Sequence, residues 1–206
     1  MAKAALVSWW PEANRLLRQD KHIGPLVEQF EGEGLRCQND LFHTLCRSVV
    51  GQQISVKAAD AVWGRLEKAV KRVRPKNLLA STEDKLRTAG LSRMKASYLM
   101  GIAESAKDLK KVKWEELDDE AAIKRLVELR GIGRWTAEMA LIFALGRSDI
   151  LPLGDIGLIR AAEKSLRKGK EMAPDRIEAA AKKWKPFRTA ATWYLWRSID
   201  PVPVEY

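Results

Sequence analysis

The sequence predicts an all-α fold. Apolar residues recur at helical spacing along nearly the whole chain, and runs in which apolar and polar residues alternate are few. Side chains that cap helices precede many of these segments. Of the 206 residues, 46% are hydrophobic and 31% are charged, which suffices to bury a core and to solvate a surface. We therefore expect one globular, helical domain over residues 1–206.

The first third of the chain contains three predicted helices. Ser8 is positioned to cap a helix that ends near residue 19, and Pro11 is tolerated in its first turn. Asp40 precedes a second helix, with apolar positions at Leu41, Leu45, Val49 and Val50. Residues 51–55 interrupt it, and Ser55 caps a third helix, with apolar positions at Ala58, Val62, Leu66 and Val70.

The remaining two thirds continue the helical pattern. Residues 74–76 (RPK) end the third helix, and Ser81 with Asp84 resembles a capping arrangement for a short helix that stops at Gly90. Residues 151–155 form a loop between two helical segments. Further helices are predicted over residues 92–109, 121–129, 135–145, 156–168, 174–184 and 189–198.

The charge of the chain favours a polyanionic partner. Lys and Arg number 37 against 27 Asp and Glu, a formal net charge of +10. Nucleic acid is the first candidate. An acidic membrane surface is the second, but it calls for an amphipathic helix with a concentrated basic face, and none is clear in this sequence. The basic run of residues 68–76 is interpreted as a solvated face with no specific contact.

The cysteines and the N-terminus indicate a cytoplasmic protein. Cys37 and Cys46 are too few for a disulfide scaffold and too isolated for a zinc or iron–sulfur site, so we expect two reduced, largely buried thiols and no metal. The N-terminal segment lacks the pattern of a signal peptide, because residues 9–11 (WWP) interrupt any apolar stretch. No apolar run reaches the length that spans a membrane.

A glycine-containing turn lies between two predicted helices, within residues 121–145. Gly131 and Gly133 let the backbone turn at φ values that other residues resist, and they leave no side chains between the turn and a ligand. The N–H groups of the turn and of the next helix then form a phosphate site, to which Arg134 adds positive charge. A simple tight turn between packed helices is the alternative. Leu129 before the turn and Thr136 after it match the helix–hairpin–helix, which binds DNA backbones without sequence specificity.

Residues 131–137 (GIGRWTA), followed by a helix and a loop that ends in Asp155, resemble the helix–hairpin–helix (HhH-GPD) DNA glycosylase superfamily and its 3-methyladenine DNA glycosylase II branch. The resemblance extends over residues 40–198 and keeps the order of the motifs. Its other parts are residues 50–55 (VGQQIS), 91–96 (LSRMKA), 139–147 (MALIFALGR), 151–156 (LPLGDI), 185–188 (KPFR) and 193–197 (WYLWR).

The resemblance implies an all-helical fold of two lobes with a base-binding cleft between them. The central lobe comprises about residues 40–150, including the hairpin at 121–145, and the N- and C-terminal segments form the second lobe. The additional N-terminal β domain of some family members is not expected. The resemblance further implies a monomer that acts in the bacterial or archaeal cytoplasm, associated with the nucleoid.

Asp155 is the catalytic residue that the resemblance implies. A carboxylate near C1′ stabilises the positive charge that develops on the sugar as the glycosidic bond breaks, and it can activate water. An alkylated purine is already cationic and leaves readily, so one acid can suffice. The structural alternative is that Asp155 only caps the helix over residues 156–168. Asp149 is a competing carboxylate, interpreted as part of a surface loop.

Several aromatic residues are candidates for a base-binding pocket. Trp135 stands where the bifunctional members of the superfamily carry a nucleophilic lysine, so the resemblance implies a monofunctional enzyme that uses water. An aromatic face there can stack on an extruded base and attract a cationic one, although a core tryptophan is the alternative. Met139 replaces a tyrosine that is frequent in the branch. Trp193 and Trp196 lie near one helix face, and one or both of them can instead pack in the core.

Gln52 and Gln53 are candidates for the side chain that fills the gap left by a flipped base. Gln53 occupies the position that is often apolar in relatives, and a polar amide can plug the gap and hydrogen-bond the orphan base. The alternative is a pair of solvated loop residues. The predicted contacts to the DNA backbone involve the hairpin residues Gly131, Ile132, Gly133, Arg134 and Thr136.

The resulting hypothesis is a monofunctional glycosylase, without abasic-site lyase activity, that removes alkylated purines of the 3-methyladenine type during base excision repair. Its partner is double-stranded DNA that contains damaged bases. No cofactor is expected, and the hairpin leaves room for a monovalent cation at its contact with phosphate. The alternatives are a mismatch or uracil-type glycosylase on the same scaffold, and a noncatalytic DNA-binding module. The preferred lesion stays open.

Overall fold

The computed structural model describes residues 6–200, and this part of the chain is dominated by α-helices. Extended pairing among the described residues is an isolated antiparallel bridge between Leu6 and Arg36. The described helices are α1 Trp10–Leu17, α2 Gly24–Gln29, α3 Leu41–Gly51, α4 Val56–Val70, α5 Pro75–Leu79, α6 Glu83–Arg87, α7 Arg93–Leu109, α8 Asp119–Val127, α9 Arg134–Phe143, α10 Ile156–Arg167, α11 Pro174–Ala181 and α12 Arg188–Ile199. The prediction of an all-α fold is confirmed.

The helices are distributed over two structural units. One unit is Asn39–Ala144 and contains α3 to α9. The other is formed by the chain before residue 39 and from residue 145 onward, and it contains α1, α2 and α10 to α12. None of the described helices has the length and the apolar character needed to cross a bilayer.

The core of the Asn39–Ala144 unit forms around α3, which packs against α4, α7 and α9. The apolar face predicted for α3 is buried, with Leu45, Cys46, Val49 and Val50 shielded from solvent. Every side chain of α9 from residue 136 to residue 143 is also buried. Burying one such aliphatic side chain stabilises the fold by about 1.5–3 kcal/mol, so packing fixes the position of both helices.

The core of the other unit is aromatic. The Trp10 and Trp193 rings meet edge to face with their centroids 5.3 Å apart, and Tyr194 lies 5.6 Å from Trp10. The Tyr194 hydroxyl donates to Asn14 Oδ1 at 2.8 Å, which satisfies its polar end. Helix α12 therefore joins α1 through packed aromatic rings, and it also packs along α10.

A buried carboxylate adds a polar anchor to this core. Asp20 accepts hydrogen bonds from the Trp184 indole at 3.0 Å and from the backbone N–H groups of His22 and Ile23, and it pairs with Lys183. Burial raises the pKa of Asp20, but the hydrogen bonds from these four donors outweigh it and hold the pKa at about 2.

Several local predictions need correction. Ser8 does not cap α1, because the N-cap residue is Trp9 and its side chain makes no capping bond. Thr82, rather than Ser81, caps α6 by accepting from the N–H of Lys85 at 3.2 Å. Helix α4 ends at Val70, and after residues 71–74 Pro75 begins the short helix α5. The short helix α2 has no counterpart among the predicted helices. Cys46 is buried as predicted, whereas Cys37 is partly exposed.

Candidate active site and nucleic-acid interface

The glycine turn lies between α8 and α9, at the position that the sequence indicates. The N–H of Ile132 donates to the carbonyl of Leu129 at 3.0 Å and closes the turn, and the Ile132 side chain is buried. Gly133 is the N-cap residue of α9 and is exposed. The backbone therefore turns over a buried isoleucine and presents Gly133 at the surface.

The two glycines are required for different reasons. Gly131 has a φ of +88°, in the left-handed region, and a Cβ there would lie 2.3 Å from the Tyr98 ring. Gly133 has a φ of −92° and a ψ of 175°, which any residue can adopt, and a Cβ there would have no neighbouring atom within 4 Å. The prediction of unusual φ values is thus confirmed for Gly131 and wrong for Gly133. Open space, and not backbone strain, distinguishes the second glycine.

The N-terminus of α9 has the properties of an anion site. Gly133 has no side chain, so the first turn lacks the capping bond that Ser92 and Asp118 provide for α7 and α8. The N–H groups of a first turn have no acceptor within the helix, and the helix dipole adds partial positive charge. A phosphate oxygen is a suitable acceptor at this position.

The Arg134 side chain is already engaged by acidic residues. Its guanidinium donates to Glu120 at 2.9 Å and to the buried carboxylate of Glu138 at 3.0 Å. The hydrogen bond with Glu120 is the main reason why the pKa of Arg134 rises above its usual range. The expectation that this side chain adds net positive charge to the phosphate site therefore needs correction, because two carboxylates balance it. Arg134 instead ties α8 to the first turn of α9.

The remaining predicted residues of α9 differ in how far they are buried. Trp135 is half-buried in the first turn, which is compatible with a partly accessible ring. Thr136 is buried and its hydroxyl accepts a hydrogen bond from Gln52, so this side chain supports the hairpin from inside. Met139 is 2% exposed, and its predicted pocket role stays a prediction.

Asp155 stands at the N-cap of α10, and one of its oxygens receives two hydrogen bonds. Oδ1 accepts from the N–H of Leu158 at 2.6 Å and from the indole Nε1 of Trp196 at 2.8 Å. The residue is half-buried. Space around it is also restricted, since a Cβ at Gly157 would lie 3.0 Å from Asp155 Oδ1 and 3.4 Å from the Trp196 ring. The backbone N–H of Leu158 and the indole N–H of Trp196 thus fix the orientation of this carboxylate.

The two C-terminal tryptophans have distinct environments. Trp193 is buried in the aromatic core against Trp10 and Tyr194, so its assignment to a base-binding pocket needs correction. Trp196 is half-buried and donates to Asp155. Spacing alone places both near one face, and only the packing of α12 on α1 and α10 separates them.

Asp149 is occupied by an ion pair. Arg188 donates from Nε to Oδ1 at 2.7 Å and from Nη2 to Oδ2 at 2.9 Å, and it also reaches the Asp149 carbonyl. A bidentate pair of this kind holds both carboxylate oxygens. Asp149 is therefore an anchor between the loop after residue 145 and the start of α12, which leaves Asp155 as the candidate for chemistry.

The segment after α3 carries the two candidate gap-filling residues. Gln52 is half-buried, and its amide donates to the Gly131 carbonyl at 3.0 Å and to Thr136 Oγ1 at 3.1 Å. Gln53 is exposed and has a φ of +60°. The structure corrects the assignment of Gln52, whose side chain is held by the hairpin, and leaves Gln53 as the candidate. Both glutamines border a groove of about 450 Å³ together with the hairpin.

These features define a class of protein. An all-helical chain presents a glycine turn and an uncapped helix N-terminus suited to phosphate, and elsewhere a carboxylate oriented by two N–H donors. This is the helix–hairpin–helix class of DNA-binding proteins.

The chain belongs to the HhH-GPD superfamily of base excision DNA repair proteins, whose family model matches residues 46–187. DNA-3-methyladenine glycosylase 1 of Schizosaccharomyces pombe is 32% identical over 184 residues, which cover 86% of this chain and 81% of that protein. The superfamily and the 3-methyladenine branch predicted from the sequence are thereby confirmed.

Solved structures show the same similarity. The 3-methyladenine DNA glycosylase of S. pombe in complex with abasic DNA superposes with a TM-score of 0.80 and 29% identity, covering 91% of this chain and 96% of that one. A DNA-3-methyladenine glycosidase from Bacillus halodurans gives a TM-score of 0.75 and 33% identity, covering 91% and 88%.

Proposed function

We propose that this protein is a monofunctional DNA glycosylase that hydrolyses the N-glycosidic bond of alkylated purines, 3-methyladenine among them, in double-stranded DNA. The observation that carries the proposal is the Asp155 carboxylate, which is oriented by Leu158 and Trp196 at the start of α10. The similarity to 3-methyladenine glycosylases of S. pombe and B. halodurans supports the substrate class. The net charge of +10 suits a DNA partner.

In the proposed mechanism, the hairpin grips the DNA backbone. The N–H groups at the start of α9 donate hydrogen bonds to phosphate oxygens, and Gly133 leaves the backbone open to the approach of these oxygens. These contacts are independent of sequence, so the protein binds undamaged and damaged duplexes alike and finds lesions by sampling. The proposal includes a monovalent cation at the contact between the hairpin and phosphate. It also includes a monomeric enzyme that acts at the nucleoid.

The damaged nucleotide then rotates out of the duplex, and Gln53 fills the space it leaves. Trp135 offers an aromatic face to the extruded base, and a cationic alkylated purine is attracted to such a face more strongly than a neutral one. Because unstacking costs least for a base whose pairing is already weakened, extrusion itself contributes to selectivity.

Asp155 supports the chemical step. Cleavage of the bond between C1′ and the purine nitrogen leaves positive charge on the sugar, which the carboxylate stabilises. The electron pair of the bond leaves with the purine, whose alkylated ring accepts it readily. Water adds to C1′ and loses a proton, for which Asp155 is the available base. The products are the free base and an intact strand with an abasic site. Catalysis by Asp155 and water requires no cofactor.

Base release from defined lesion duplexes tests the proposal. Duplexes that contain 7-methylguanine, 1,N6-ethenoadenine, hypoxanthine or uracil, and randomly methylated DNA as the source of 3-methyladenine, are incubated with the protein and analysed for free base and for hydroxide-labile sites. We expect release of methylated purines and strand cleavage only after hydroxide. Release of uracil without methylated purines would support the mismatch and uracil-type alternative, and release of no base would support the noncatalytic module.

Borohydride trapping tests the monofunctional character. A lysine nucleophile forms a Schiff base with the sugar that borohydride reduces to a covalent protein–DNA adduct. Since residue 135 is tryptophan, we expect no adduct during turnover. An efficiently trapped adduct would contradict this part of the proposal and would require another amine as nucleophile.

A further inference from the structure

Gln53, the residue proposed to enter the duplex, is held on an unusual backbone. It follows the C-cap residue of α3 and has a φ of +60°, a conformation that residues with a Cβ rarely adopt. Its side chain is exposed and so contributes little to its own placement. A residue in this conformation keeps it only when its neighbours impose it. The neighbours of Gln53 therefore determine where its side chain points.

Lys95 holds the backbone immediately before Gln53. Its ammonium donates to the Val50 carbonyl at 2.9 Å, in the last turn of α3, and to the carbonyl of the C-cap residue Gln52 at 2.6 Å. Partial burial lowers the pKa of Lys95, and the two carbonyl acceptors act in the opposite direction by favouring the charged ammonium. A cation at a helix C-terminus is also favoured by the helix dipole.

The Gln52 side chain links the same segment to the hairpin. Both hydrogens of its amide are used, one toward the Gly131 carbonyl and one toward Thr136 Oγ1. One residue thus has its carbonyl fixed by Lys95 and its side chain fixed by the phosphate-binding turn. The next residue in the chain is Gln53.

The hairpin has its own supports that do not involve Gln52. The Ile132 side chain is buried beneath the turn, Gly131 packs on Tyr98, and Arg134 ties α9 to Glu120. Removing the two hydrogen bonds of Gln52 therefore leaves the phosphate site largely intact. It does leave the segment that carries Gln53 without its connection to that site.

We propose that Gln52 and Lys95 are positioning residues. They set the location of Gln53 relative to the hairpin, so that Gln53 can fill the gap left by the flipped base while the hairpin binds a phosphate. This inference rests on the proposed function, in particular on the role of Gln53. It predicts that both residues act through Gln53 and not through DNA affinity.

A double-mutant cycle tests this dependence. The variants are Gln52→Met, which keeps length but loses both donors, Gln53→Ala, and the two combined. The probe is a duplex with 2-aminopurine beside a tetrahydrofuran abasic-site analogue, in which insertion of a side chain changes the fluorescence of 2-aminopurine. This duplex holds no excisable base, so the measurement does not depend on the enzyme's activity. Excision of 7-methylguanine by the parent protein, measured separately, reports on the proposed function.

We expect Gln52→Met to reduce the fluorescence change at least severalfold, as Gln53→Ala does, and the double variant to show no further loss. Affinity for an undamaged duplex should stay within about twofold of the parent, since phosphate contacts dominate it. The control Gln29→Met, on the exposed surface of α2, should match the parent.

An unchanged fluorescence response in Gln52→Met would overturn the proposal. A fluorescence change in the double variant that is reduced by the product of the two single-variant reductions would overturn it as well. So would an equal loss of affinity for undamaged DNA, because it would show that Gln52 only supports the hairpin. Should Gln52→Met lack a cooperative thermal transition, Lys95→Met decides by the same criteria, since it releases the carbonyls of Val50 and Gln52 without changing the hairpin.

Discussion

Replacing Asp155 with asparagine separates the proposed catalytic role of this residue from its structural role. Asparagine keeps an oxygen that can accept from the Leu158 N–H and from the Trp196 indole, the two hydrogen bonds now 2.6 and 2.8 Å long. It removes the negative charge. Asn and Asp rank equally as N-cap residues, so the helix retains its cap.

The expected effects on stability and on rate differ greatly in size. The N-cap bond from Leu158 is retained, so the bond from the Trp196 indole is the one that weakens. Hydrogen bonds to a charged acceptor are roughly twice as strong as neutral ones, so this change lowers the free energy of unfolding by about 1 kcal/mol. For a chain of this size, that shifts the melting temperature by about 2–4 °C. Loss of a preorganised charge at the reacting centre slows excision by about a hundredfold or more, equivalent to about 2.7 kcal/mol in activation free energy.

The assay compares single-turnover excision of 7-methylguanine with affinity for the same duplex. Asp118→Asn is a matched control, because Asp118 caps α8 by accepting from the Ala121 N–H at 2.7 Å and has no proposed contact with substrate. We expect Asp118→Asn to excise like the parent. Excision by Asp155→Asn at near-parental rate would refute the catalytic assignment, and an unfolded Asp155→Asn would show that the residue is chiefly a structural cap.

Three further outcomes follow from the structure. Gly133→Ala should fold normally yet bind all duplexes more weakly. Gly131→Ala should lower the melting temperature, because its Cβ would lie 2.3 Å from the Tyr98 ring and its φ is +88°. Equal melting temperatures for the two variants would contradict this distinction. Trp196→Phe removes the indole N–H that donates to Asp155, the carboxylate proposed for catalysis. Single-turnover excision should fall about tenfold with DNA affinity unchanged, and excision at the parental rate would exclude this role. Asp20→Asn should lower the free energy of unfolding by about 2 kcal/mol at pH 7. In urea titrations, this difference between variant and parent should vanish as the pH falls from about 4 toward the folded-state pKa of about 2. A difference that does not change with pH would contradict the shifted pKa.

Long amphipathic helices and the turn between α8 and α9 could be predicted because each rests on local chemistry. Asp40, Ser55 and Asp118 all cap the helices that follow them, as their residue types favour. Gly131 adopts the positive φ that its type permits. The short helix α2 escapes prediction because a segment of 6 residues contains too little periodicity to identify.

The roles of individual side chains at the site required tertiary contacts. Trp193 and Trp196 have the same residue type and similar helical positions, yet one packs on Trp10 and the other bonds Asp155. Gln52 and Gln53 are adjacent and identical, yet their backbone conformations send the side chains to different surroundings. Partners 41 or 79 residues away decide these roles, and no local pattern encodes them.

The carboxylate proposed for chemistry, with its donors on α10 and α12, lies in one structural unit, and the hairpin with its bordering glutamines lies in the other. Under the proposed function, substitutions in the hairpin of the Asn39–Ala144 unit should therefore change how long the protein stays bound to DNA. Under the same proposal, substitutions in α10 or α12 that disturb Asp155 should change the excision rate. Variants that lose DNA binding and variants that lose excision should therefore arise from substitutions in different units.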